Sequence, residues 1–154
     1  MDTLLNLTIF LPIAGVLGIL LVKNDNLVKW ISLLVTTVTF FLSLPLMLNF
    51  DSSISDTAQF LYQSGAWLPG LDIKYVVGLD GLSLLLFMLT TFIAPIVIVS
   101  AWHSVEKHVS GFFSMLLVLQ TASLGVFASL DLFMFYIFFE LSLIPMYFLI
   151  GIWG

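Results

Sequence analysis

The sequence predicts an all-α membrane protein with five transmembrane helices. Two observations carry this. Only 8% of the 154 residues are charged while 61% are hydrophobic, against about 25% charged in ordinary soluble domains. The charges also fall in short punctuating segments, which leaves nearly uncharged stretches over residues 4–22, 30–50, 79–102, 111–130 and 132–153. A run of about 20 apolar residues is what crosses a bilayer as a helix. The chain reads as a single membrane domain, with residues 51–75 as its one long loop.

The composition also excludes several function classes. There is no arginine and no basic patch, so nucleic acid is not an expected ligand. With no cysteine there is no disulfide, iron–sulfur or thiol chemistry. His103 and His108 both fall in one polar turn, so no haem is held between helices by this chain. As metal ligands the pair is weak, because two histidines without a third donor rarely hold an ion.

The first stretch, Leu4 to Val22, competes with a signal peptide. It carries Asp2 and lacks the basic start of one, so an uncleaved helix is expected. Ala14 and Gly18 form a small-xxx-small pair suited to close helix contact. Pro12 is tolerable in a spanning helix. After the polar turn Lys23 to Lys29, the second stretch bears Ser32, Thr36, Thr39 and Ser43 on one face. That hydroxyl stripe reads either as helix packing through small polar side chains or as a hydrated wall.

The long loop splits into a polar turn-forming part and short apolar runs divided by Gly65, Pro69 and Gly70, the pattern of a small hairpin or extended segment on the membrane surface. Trp67 and Tyr75 suit the interfacial aromatic belt. Asp80 is expected to cap the third helix. Pro95 within it frees the carbonyl of Thr91. The fourth stretch carries Thr121, Gly125 and Ser129 at spacings of four, a second candidate for close contact, and Gln120, an amide at mid-span in need of a partner. Asp131 is expected to cap the fifth helix, and the brevity of that turn predicts antiparallel neighbours.

The fifth stretch, Leu132 to Gly154, holds one ionisable residue, Glu140. It lies roughly 12 Å along the helix at 1.5 Å per residue, near the middle of a hydrocarbon core about 30 Å thick. A carboxylate there costs about 3 kcal/mol or more and by default marks function. Tyr136, Tyr147, Gly151 and Gly154 fall within about 40° of it around the helix. Pro145 frees the carbonyl of Leu141, next to Glu140. Glu140 as proton relay, supported by Tyr136, Tyr147 and Pro145, is one reading; a protonated Glu140 that only bonds a neighbouring helix is the other.

Five spans fix a topology by charge. With the Lys23–Lys29 turn inside, Lys107 is also inside, so three of the four lysines lie inside, the amino terminus is outside and the carboxyl end inside.

The run FYIFFELSLIPMYFLIGIWG (Phe135 to Gly154) resembles the fifth helix of subunit M of bacterial NADH:quinone oxidoreductase, respiratory complex I. IKYVVGLDGLSLLLFMLTTFIAPI (Ile73 to Ile96) is similar to the segment leading into that family's third helix, and FASLDLFMFYIFFE (Phe127 to Glu140) to the joint of its fourth and fifth. The resemblance implies the first portion of an antiporter-like inverted-repeat bundle in the bacterial inner membrane. It carries the family's helix-five glutamate onto Glu140, where a lysine two helices further on is its partner. It also implies redox-driven proton translocation, with NADH, FMN, iron–sulfur clusters and quinone held by other subunits and no cofactor in this chain. The expected partners are the other membrane-arm subunits, the remainder of the subunit and the lipid bilayer. Family members have about fourteen helices; this chain has five, so it reads as truncated relative to them. Two alternatives remain: a subunit of a Mrp-type cation/proton antiporter or membrane-bound hydrogenase, and a non-transporting membrane scaffold fragment.

Overall fold

A computed structural model describes all residues except 52, 54–56 and 69–72, with backbone alone at 65–68 and 73. The elements run α1 (Asp2–Leu20), α2 (Asp25–Leu48), β1 (Gln59–Leu68), β2 (Ile73–Leu79), α3 (Gly81–Ala101), α4 (Val109–Ala128) and α5 (Leu132–Trp153). All five helices are long and apolar enough to cross a membrane, and their outward surface is studded with Leu, Ile and Phe. This is a multi-pass membrane protein.

Helix ends follow capping chemistry rather than the limits of apolarity. Asn24 accepts from the Asn26 amide (2.9 Å) and starts α2 at Asp25, five residues before the apolar run. A helix can hold polar residues in its first turn once its free amides are met. Asp80 and Ser83 form a reciprocal capping box on α3 (2.7 and 2.9 Å). Asp131 accepts from Phe133 and Met134 (2.9 and 3.2 Å) and opens α5. Helix α4 stops at Ala128 because the chain turns extended there: Ser129 bridges Val77, and the Leu130 amide donates to the Val76 carbonyl (3.1 Å).

The expected hairpin is present, as antiparallel β1 and β2. Strand β2 reaches Leu79, beyond residue 75, where the long loop is expected to end. Val77 and Leu79 are fully buried against the helix ends. Tyr75 turns inward and donates to the side chain of Asn6 on α1 (2.6 Å); burial, with Tyr62 nearby, pushes its phenol up to about 12. Side-chain readings at Gly65 and Trp67, and the turn at Pro69 and Gly70, lie outside the described residues.

Helix α4 is the hub, packed against α1, α2, α3 and α5, whereas α5 leans mainly on α4. Half of the apolar stretch of α4 is buried within the chain, against 17% for α5. Two apolar clusters close the bundle at its ends. Leu5, Ile9, Leu46, Phe87, Leu124 and Phe138 gather at the hairpin end. Ile19, Val28, Ile98, Phe113 and Leu117 gather at the other. Between them the buried residues are small or polar: Gly15, Thr36, Thr39, Ser43, Thr91, Gln120 and Thr121.

Within that middle layer the hydroxyl stripe of α2 faces inward. Ser32, Thr36 and Thr39 donate to backbone carbonyls one turn back (2.8–2.9 Å), Ser43 donates to Phe40 (2.6 Å), and its hydroxyl meets that of Thr91 on α3 at 3.0 Å. The stripe is packing, not a wall open to bulk water. The close contact of α1 lies one residue off the expected pair. Ala14 is exposed, and Gly15 meets Val35 and Leu117, where a Cβ would come within 2.9 and 3.1 Å of those side chains.

Candidate functional site

Glu140 is the ninth residue of α5. The face of α5 that this chain buries is Met134, Phe138 and Pro145, which lies about 120–160° around the helix from Glu140. Phe138 packs on Gly125 of α4 so closely that no Cβ fits there. That contact orients α5 and turns Glu140 outward, where it is exposed. The Tyr136 phenol, one turn earlier, faces the Glu140 carboxylate and interacts with it. Tyr147 is on the same open face, 74% exposed, roughly 10 Å further along at 1.5 Å per residue. A Cβ added at Gly151 would meet nothing.

The sequence-derived set is therefore only partly assembled. Glu140 and Tyr136 are together, Tyr147 and Gly151 share their face, and Pro145 is on the buried side against the hub. Helix α5 runs unbroken through Pro145. No ion pair reaches Glu140 among the described residues. A carboxyl and a phenol side by side on one helix face can exchange a proton directly or along a water chain. On a face turned from the chain's own helices, they do so only if further protein or water covers them, since bare hydrocarbon disfavours the charged form by about 3 kcal/mol or more.

No group of three or more metal-ligating side chains exists among the described residues. His108 has a left-handed backbone (φ 51°) and opens α4, and so acts as a chain-reversal residue.

From the sequence, Gln120 is an amide that could donate toward water or toward a neighbouring helix. The structure buries it to 5% exposure, and neither Nε2 nor Oε1 meets a described protein partner. Unmet buried polar atoms cost about 1–3 kcal/mol each. Its position was legible; the lack of a protein partner was not.

No protein-family model matches the chain. Three relatives are informative. NADH-quinone oxidoreductase subunit M of Rhodobacter capsulatus is 44% identical over 160 residues, covering all of this chain and 30% of that protein. Over its whole length this chain is similar to subunit M of NADH-quinone oxidoreductases. NADH-ubiquinone oxidoreductase chain 4 of Marchantia polymorpha is 38% identical over 95% of the chain, and F(420)H(2) dehydrogenase subunit M of Methanosarcina mazei 35% over 97%. The chain spans about 30% of the length of each of these subunit M and chain 4 relatives.

Proposed function

We propose that this chain is part of a proton-translocating membrane-arm subunit of an NADH:quinone oxidoreductase, with Glu140 as a proton-carrying group halfway through the membrane. The observation that carries the reading is the direction of Glu140. Glu140 and Tyr136 are both exposed on α5, on the side turned from the other four helices of this chain. An acid placed there suits a partner with a basic group docked on the open face of α5, which would shift its proton affinity as it moves.

In this reading the chain is the first portion of an inverted-repeat bundle. The amino terminus is outside and the carboxyl end inside a bacterial inner membrane. The rest of the subunit and other membrane-arm subunits cover α5. NADH, FMN, iron–sulfur clusters and quinone belong to other subunits. The relative from Methanosarcina mazei is a subunit of a dehydrogenase for a different electron donor, which supports a membrane module indifferent to the donor. The three relatives carry the names of oxidoreductase and dehydrogenase subunits, not of a Mrp-type antiporter or a hydrogenase. In the scaffold reading the exposed Glu140 would serve only as a protonated group that bonds a docking helix.

The test is Glu140→Gln in the intact membrane complex. NADH oxidation by an artificial acceptor stays at the unsubstituted rate, while quinone-linked proton pumping drops. Full pumping in that variant would reduce Glu140 to a structural group.

A further inference from the structure

The hairpin is tied to α5 at two heights. At the start of the helix the tie is backbone: Ser129 bridges Val77, and the Leu130 amide donates to the Val76 carbonyl (3.1 Å). The second tie lies almost two turns further in and is made of rings. Tyr75 of β2 donates its phenol to the Asn6 side chain on α1 (2.6 Å). Its ring meets that of Phe10, one turn on from Asn6, at 6.4 Å and a tilt of 36°. Phe10 in turn meets Phe138 of α5 at 6.4 Å and 47°. Both separations fall in the range of about 4.5–7 Å over which ring pairs attract.

The two ties fix different things. A backbone bond just before a helix sets where the helix begins and leaves its rotation about its own axis loosely held. A side chain gripped well inside the helix sets that rotation. Phe138 is buried and rests on Gly125 of α4; Phe10 gives the same ring a second neighbour, from α1. Phe10 is itself half-exposed, so the Tyr75 ring and its bond to Asn6 are a large part of what steadies it.

Glu140 follows Phe138 by two residues and stands about 160° round the helix from it. Whatever turn Phe138 makes about the axis, Glu140 makes on the other side. With side chains reaching about 5–6 Å from the axis, a rotation of about 10° carries the carboxyl about 1 Å. Misplacing a reacting group by about 1 Å can cost on the order of a hundredfold in rate.

We propose that Phe10 is a positioning residue for Glu140: braced by Tyr75 and Asn6, it holds the Phe138 ring on Gly125 and so sets the rotation of α5. The consequence for pumping rests on the proton-carrying role of Glu140 proposed above; the rotation of α5 does not.

The test uses the assembled complex with the full subunit. A density map of Phe10→Leu is expected to show α5 turned by about 10° or more from its second turn onward, with Glu140 displaced by about 1 Å. Quinone-linked pumping, normalised to NADH oxidation by an artificial acceptor, is expected to fall by up to about tenfold, the worth of one ring pair. Phe10→Tyr keeps the ring and is expected to match the parent in both readouts. Tyr75→Phe drops only the bond to Asn6. It is expected to give a smaller loss in the same direction, and no further loss when combined with Phe10→Leu, because it acts through that ring. An unturned α5 in Phe10→Leu, a Phe10→Tyr variant no better than Phe10→Leu, or additive losses in the double variant would each overturn the proposal. A turned α5 with full pumping would uphold the brace and overturn the proton-carrying role of Glu140 instead.

Discussion

The ring of Phe138 occupies the place where a side chain at residue 125 would stand, which makes Gly125 the contact point between the hub helix and α5. A Cβ there would run into three atoms of the ring. Gly125→Val is expected to destabilise the α4–α5 pairing by about 1–3 kcal/mol, the usual cost of overfilling a packed site. Unfolding of the purified membrane protein in graded detergent denaturant checks it. Phe138→Ala in the same chain should restore part of the loss, because it removes the atoms in conflict. No restoration would show that the glycine matters for some other reason.

Trp153 closes the far end of the same pair. Its indole nitrogen donates to the Lys107 carbonyl (2.8 Å), and its ring meets Phe112 edge-on at 5.4 Å. Trp153→Phe keeps a ring and loses the donor, so the expected cost is about 1 kcal/mol. Trp153→Ala loses both and should cost about 3 kcal/mol. Protease sensitivity of the residue 103–108 turn, followed in reconstituted vesicles, reads the same order.

Asp80 gives a dependence on pH whose sign is determined. Hydrogen bonds from the Ser83 amide and hydroxyl, with a smaller one from the Leu82 amide, hold its carboxyl below the ordinary value of 3.8. A depressed folded value means that the cap is worth its full amount above pH 4 or so and loses it as the pH falls through the folded value. Acid unfolding of the α3 start should therefore begin below about pH 4. Asp80→Asn still caps α3 and should flatten that part of the profile, while Asp80→Ala should lower stability by about 1 kcal/mol at neutral pH.

Tyr136→Phe separates the phenol from the carboxyl it faces. If the hydroxyl steadies Glu140 or its water, quinone-linked pumping should fall by up to about fivefold, the equivalent of one hydrogen bond of about 1 kcal/mol. Glu140→Asp, which keeps the charge on a shorter stem, should be milder than Glu140→Gln. Equal pumping in Tyr136→Phe and the parent would leave the phenol without a part in proton transfer.

The number of spanning helices, the caps at Asp80 and Asp131, the antiparallel setting of α4 and α5 and the singular position of Glu140 were all determined by the sequence itself. These features depend on run length and on residues a few positions apart, so the local chain carries them. Only the tertiary structure decided which side of each helix is inside. Helix α5 is apolar almost all the way round, and lipid is as apolar as a protein core, so its pattern does not mark a buried face. That is why Pro145 lies inward and Glu140 outward, why Gly15 rather than Ala14 makes the close approach, and why the α2 hydroxyls turn toward the bundle. The unmet amide of Gln120 belongs with these, because which groups this chain's own helices bring near it is set by their packing.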